Sequence, residues 1–269
     1  MKTNQCDKWP AFARLRPGRQ VTSGATDAAG GTFSCHLPRV TCHVSAFTLV
    51  ELLTVIAVIA VIAALIFPVA STVKRQVDLH AAQAQMSQLE TALENYKSAY
   101  GFYPPSCPNG PLTNQLYYEL VGTTNIAAPP ANPIYQVLGN PGQQLTGGPA
   151  GQVVQAFGVG GFMNCSKPGG DESAQPARNF LPDLNTNQVS TVMMGVTPVN
   201  LLVTPLGGPD SSYTPLGSGN IGVNPWRYAY PGTNNPGSYD LWIQLGIAGN
   251  TNLVCNWTKQ VQVNNGALR

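Results

Sequence analysis

A single carboxylate interrupts an otherwise apolar run. From Phe47 to Ala70 the chain reads FTLVELLTVIAVIAVIAALIFPVA, 24 residues whose one charge is Glu51. Placing a carboxylate in an apolar phase costs at least ~2.5–3.5 kcal/mol on insertion scales, so it is kept where a cationic partner meets it. The plainer alternative is that Glu51, one helical turn from the start of the run, snorkels to water. Other residues with chemical potential are scattered. Cys6, Cys35 and Cys42 precede the run and Cys107, Cys165 and Cys255 follow it, none with the CxxC spacing of a zinc or redox site. His80 is the only histidine after residue 46, and no acid or cysteine cluster accompanies it. Asp171 and Glu172 adjoin in KPGGDES, a loop composition that suits a solvated pair better than an acid/base couple. There is no nucleophile elbow and no metal-spaced cluster, so catalysis is not expected.

The elements around Glu51 are clearer. A helix over residues 47–70 would span roughly 36 Å, enough for a bilayer core. Val55, Ile56, Val58, Ile59, Val61 and Ile62 would suit a strand, but buried strands rarely reach this length. The run is also too long for a secretory h-region, and Pro68 stands where signal peptidase wants a small residue. Residues 1–46 hold six Lys/Arg and two Asp, a basic head of the kind found in targeting segments. Residues 47–269 hold eight Lys/Arg and ten Asp/Glu, which gives no electrostatic footing for nucleic acid. Beyond Ser71 the apolar positions Ala82, Met86, Leu89, Leu93, Tyr96 and Tyr100 recur every three or four residues, an amphipathic helix ended by Gly101. Gln83, Gln85 and Gln88 fall on other faces. The two halves predict one helix from about residue 49 to 100, its stripe covered by a soluble domain.

Ala46-Phe47-Thr48-Leu49-Val50-Glu51-Leu52-Leu53 resembles the prepilin cleavage motif of type IV pilins and type II secretion pseudopilins. The resemblance implies that a prepilin peptidase cuts between Ala46 and Phe47 and that Phe47 is then N-methylated. The family usually has Gly where this chain has Ala46. Glu51 becomes the fifth residue of the mature protein, and in this family that acid meets the new amine of a neighbouring copy during filament assembly. Pro68 falls where many members carry a helix-kinking proline. Asn224-Pro225-Trp226-Arg227-Tyr228-Ala229-Tyr230, Ser238-Tyr239-Asp240-Leu241 and Asn256-Trp257 resemble the C-terminal pattern of the major pseudopilin, where aromatic strands form a small sheet against the helix. Its calcium loop has no counterpart, since no acid follows Asp240 and only Asn250 and Asn252 offer side-chain oxygens, so no cofactor is expected.

These readings predict an α+β, pilin-like fold. A long N-terminal helix, its first half spanning a membrane, packs on a small antiparallel sheet. The expected organisation is a leader at 1–46, a transmembrane or filament-core helix at 47–70, an amphipathic continuation at 71–100 and an extracytoplasmic domain at 101–269. That domain carries a Pro/Gly-rich insertion at about 122–222, read as edge strands and loops, with a strand-like piece at 152–157 and strands over 189–203 broken at Thr197-Pro198. Cys165 and Cys255 are the favoured disulfide pair because Cys107 lies in a Pro-rich turn; three unpaired thiols are the alternative. The function implied is a structural subunit of a secretion pseudopilus or pilus-like filament at the bacterial inner membrane. Its partners are other copies, other pilins, the prepilin peptidase and the assembly platform. A membrane-anchored module that binds a ligand or glycan is the alternative.

Overall fold

The structure is a computed structural model that describes residues 47–128, 130–167, 175–209, 213–247 and 249–263, with backbone alone over 65–72. The expected leader, Ala46, the three early cysteines and the Asp171–Glu172 pair lie outside the described residues. The chain divides into two units, residues 1–52 and 53–269.

In the first unit the described residues start helix α1, Leu49–Tyr100. Thr48 stands just before it and Glu51 in its first turn, and their side chains and backbones pair as described below.

The second unit carries the rest of α1 and the domain. Ala82, Leu89, Leu93 and Tyr96 are at most 1% exposed, and Met86 and Tyr100 pack partly buried against the same core. Their spacing therefore sets the buried face. Gln85 departs from the expected polar face: it is buried, and its Nε2 donates to the Val203 carbonyl at 2.7 Å. Gly101, at φ 83°, ends the helix in a left-handed conformation that a side chain would disfavour.

After α1 come two short helices, α2 (Leu116–Val121) and α3 (Gln152–Phe157), and eleven strands among the described residues. The first sheet has the order β3-β2-β1-β4, with β1 (Thr123–Asn125), β2 (Ile134–Val137), β3 (Asn140–Thr146) and β4 (Cys165–Ser166). Its β1–β4 pairing is parallel. A three-stranded sheet joins β5 (Val189–Met194), β6 (Thr197–Thr204) and β7 (Asn224–Pro225). The last sheet, ordered β11-β10-β9-β8, is antiparallel throughout and comprises β8 (Arg227–Ala229), β9 (Asp240–Ile247), β10 (Asn250–Cys255) and β11 (Gln262–Val263). One core runs from α1 through α2, α3 and β6 to Trp226, Tyr228, Leu241, Ile243 and Leu245.

The expected fold class is corrected. In place of one small antiparallel sheet on a membrane-spanning helix there are three sheets, one of them mixed, and strands dominate the domain. Among the described residues no helix is long and apolar enough to cross a membrane. The expected insertion supplies the first sheet and two strands, β5 and β6, of the second. Residues 152–157 form a helix, not a strand, opened after Gly151 and closed by left-handed Gly158. Pro198, read as a break, sits inside β6, the central strand. It is tolerated because β6 pairs only with β5 at that end, β7 joining only at Val203 and Thr204.

Candidate assembly site

At the start of α1 the Thr48 amide donates to Glu51 Oε2 at 2.8 Å, and the Thr48 hydroxyl does so at 2.9 Å. The Glu51 amide donates back to Thr48 Oγ1 at 3.2 Å. This reciprocal pair is a capping box. It satisfies amides that a helix N-terminus otherwise leaves without intrahelical partners, and it places an acid where the helix dipole favours one. The Thr48-x-x-Glu51 signature is legible in the sequence, and the reading of Glu51 as a counter-ion passed over it. The two roles draw on the same carboxylate.

Around this box the apolar side chains are all exposed. In the first unit Phe47, Leu49, Val50 and Leu52 are 59–78% exposed. In the second, Leu53, Val55, Ile56, Val58, Ile59, Val61 and Ile62 are 48–61% exposed. A helix apolar on every side belongs in a buried setting, and among the described residues nothing covers this one. Exposed apolar surface of this extent marks an interaction site. Pro68 lies in α1, but its side chain falls outside the described residues.

Two buried carboxylates anchor the domain. Glu119, on α2, is fully buried. It accepts from the Tyr96 hydroxyl at 3.0 Å, the Met163 amide at 2.9 Å and the Asn164 amide at 3.0 Å. Asn164 extends the link. Its Nδ2 donates to the Glu119 carbonyl at 2.7 Å and to the Arg178 carbonyl at 2.6 Å, and its Oδ1 accepts from the Tyr100 hydroxyl at 2.8 Å. The last turns of α1 are thereby tied to α2 and to the segment before β5. Burial pushes the Glu119 carboxyl above its ordinary range, against the pull of the three donors.

Asp240 holds a loop. Its Oδ2 accepts from the amides of Thr233 and Asn234 and from Asn234 Nδ2, and its Oδ1 accepts from the Asn235 amide, all at 2.8–3.0 Å. A Cβ at Gly232 would stand 2.6 Å from Asp240 Oδ1, so the loop closes on the carboxylate too tightly for a side chain. Both oxygens face N–H donors, the environment of an anchoring anion and not of a cation ligand. Replacing Asp240 by Ala should lower stability by about 2 kcal/mol in a denaturant titration, because the donors lie in an exposed loop where water takes them up.

The remaining expected residues do not come together. Cys165 and Cys255 are free thiols in different sheets, as Cys107 is in its turn, so the favoured disulfide is corrected to unpaired cysteines. Cys107 donates to the Phe157 carbonyl, a role that ties its turn to α3. His80 is exposed on α1. Among the described residues no group of three or more His, Cys, Asp or Glu could hold a metal ion. Asn252 is buried in β10, where its Nδ2 donates to the Asn250 carbonyl. Of the C-terminal aromatics, Trp226, Tyr228 and Tyr239 join the main core. Trp242 and Trp257 form a satellite cluster, edge to face at 5.7 Å. Comparison with protein-family models, curated proteins and solved structures gives no match.

Proposed function

We propose that this chain is a structural subunit of a filament of the pilin or pseudopilin type, matured by cleavage before Phe47 and N-methylation. The observation that carries the reading is the exposed apolar surface of residues 47–62 together with Glu51, set in the sequence Ala46-Phe47-Thr48-Leu49-Val50-Glu51 that resembles the prepilin motif. In a filament, neighbouring copies cover that surface, and the Glu51 carboxylate lies beside the amine created at Phe47 of the next copy. Pairing the two charges removes both from the apolar interior and fixes the axial register between subunits. Before assembly the same surface attaches the protein to the inner membrane, with the domain on the extracytoplasmic side. The buried carboxylates serve packing in this reading, and no catalytic role is assigned to them.

Glu51 variants separate its two roles. Gln at the third helical position still completes a capping box, but it carries no charge. Glu51→Ala and Glu51→Gln should both leave a cleaved, membrane-attached monomer missing from sheared filaments. If Glu51→Gln enters filaments at the normal level while Glu51→Ala does not, the carboxylate is a cap and the charge pairing is wrong. Normal recovery of both variants would reject any assembly role for Glu51.

A further inference from the structure

A hollow of about 500 Å³ opens between α2, the β2–β3 turn, residues 179–189 and strand β6. Hydrogen bonds pin each of its walls to α2. The Phe180 amide donates to the Leu120 carbonyl at 2.7 Å, and the Leu138 amide donates to the Gly122 carbonyl, just past the helix, at 3.0 Å. The Asn200 amide donates to the Tyr118 hydroxyl at 2.9 Å, which seats β6 beside Tyr117.

Two side chains that line this hollow are buried and still lack a partner. Tyr117 is 6% exposed and Asn200 4%. Asn200 Oδ1 accepts from the Thr191 hydroxyl at 2.7 Å, which commits the oxygen and leaves the Nδ2 donors. Among the described residues nothing accepts from Asn200 Nδ2 or pairs with the Tyr117 hydroxyl. Neither group is among the domain's sealed polar atoms, such as the Trp226 indole N–H. Asn179, an exposed residue of the same lining, repeats the pattern. Its Oδ1 accepts from the Leu181 amide at 2.8 Å, and among the described residues its Nδ2 has no acceptor. Buried polar groups in folded proteins are paired, so those of Tyr117 and Asn200 call for a partner from outside the chain. The space far exceeds the ~30 Å³ of a single bridging water and falls within the ~300–1,000 Å³ of small-molecule sites.

The lining sets the chemistry of that partner. No charged side chain lines the hollow, so a charged ligand would be desolvated there without a counter-ion. Amides and hydroxyls share the walls with apolar Val121, Leu138 and Leu181. We propose that the hollow binds a neutral saccharide. Ligand hydroxyl oxygens accept from Nδ2 of Asn179 and Asn200, another hydroxyl pairs with the Tyr117 oxygen, and the C–H faces of a sugar ring meet the apolar wall. The site uses no residue of the apolar run 47–62, so it stands whether or not the chain enters filaments.

The test is titration of the full chain, in a detergent without sugar headgroups, with maltotriose, cellotriose and chitotriose, read at the Asn200 side-chain amide resonances. At least one trisaccharide should shift them saturably. Asn179→Asp keeps an acceptor for the Leu181 amide but loses the Nδ2 donors, and should weaken binding about tenfold. Thr186→Trp, at another exposed lining position, should fill the hollow and abolish the saturable shift. Both variants should keep the wild-type melting temperature. No saturable shift with any of the three sugars would overturn the site, as would unchanged affinity in both variants. Equal shifts in triethylene glycol would mean solvation without recognition and overturn it too. Trigalacturonate, a charged counterpart, should not bind; affinity equal to that of the neutral sugars would overturn the neutral assignment.

Discussion

Ile56→Lys should abolish entry into filaments while leaving the domain's melting temperature unchanged. Ile56 lies on α1 with 57% of its surface exposed, and Val55, Val58 and Ile59 around it are exposed to a similar degree. In the single chain Ile56 is exposed, so a lysine there removes none of the packing that holds the domain together. Between packed copies it would be an unpaired charge in apolar surroundings, a penalty of at least ~2.5–3.5 kcal/mol on insertion scales, or roughly a hundredfold per interface. Because every subunit of a polymer repeats the interface, the loss compounds. The sheared-filament fraction reads assembly, and unfolding followed through the core tryptophan Trp226 reads folding. Normal filament yield would mean that this helix is not the assembly surface.

Glu119→Ala should destabilise the domain by about 3–5 kcal/mol in a denaturant titration. It leaves the amides of Met163 and Asn164 and the hydroxyl of Tyr96 without their acceptor in a site closed to water. The pH dependence follows from burial, which raises the folded carboxyl above its unfolded value near 4.5. The folded state then holds this proton more tightly than the unfolded chain. The contribution of Glu119 to stability is complete below pH ~4.5 and declines as pH rises through the folded value. Glu119→Gln has no such titration, so its stability should fall less steeply over that window than the wild type's. An unchanged slope would place the titration on another group.

The parts of the fold legible in the sequence are those with a strong period. The stripe from Ala82 to Tyr100 recurs at helical spacing and is the buried face of α1, and Gly101 ends the helix where the sequence places its cap. For the aromatic C-terminal segment a packing role was expected from a resemblance and not from a period, and Trp226, Tyr228 and Tyr239 do join the main core. The middle was not legible. Strands β1, β2 and β4 run two to four residues, too short for an alternation to register. The run Gln152–Phe157 has apolar residues that fit either period, and the two glycines around it decide for a helix. Pro198 suggested a break because sequence does not say which side of a strand lacks a partner.

At the candidate site the apolar run and Glu51 were visible at once, and the capping box was available in Thr48-x-x-Glu51. Glu119, Asp240 and Arg227 were not legible as buried groups. Their surroundings come from segments 5 to 45 residues away in the chain, such as the Asn164 amide that meets Glu119 and the Asn235 amide that meets Asp240. A lone charge in a strand or a short helix reads as solvated until tertiary structure closes over it.

The most direct test is the mass and amino-terminal sequence of the protein isolated from its native host with an active prepilin peptidase. The filament account predicts a chain that starts at Phe47 with a methyl group on its amine. A chain that retains residues 1–46, or one cut elsewhere, would contradict it, because Glu51 would then have no new amine at Phe47 to meet.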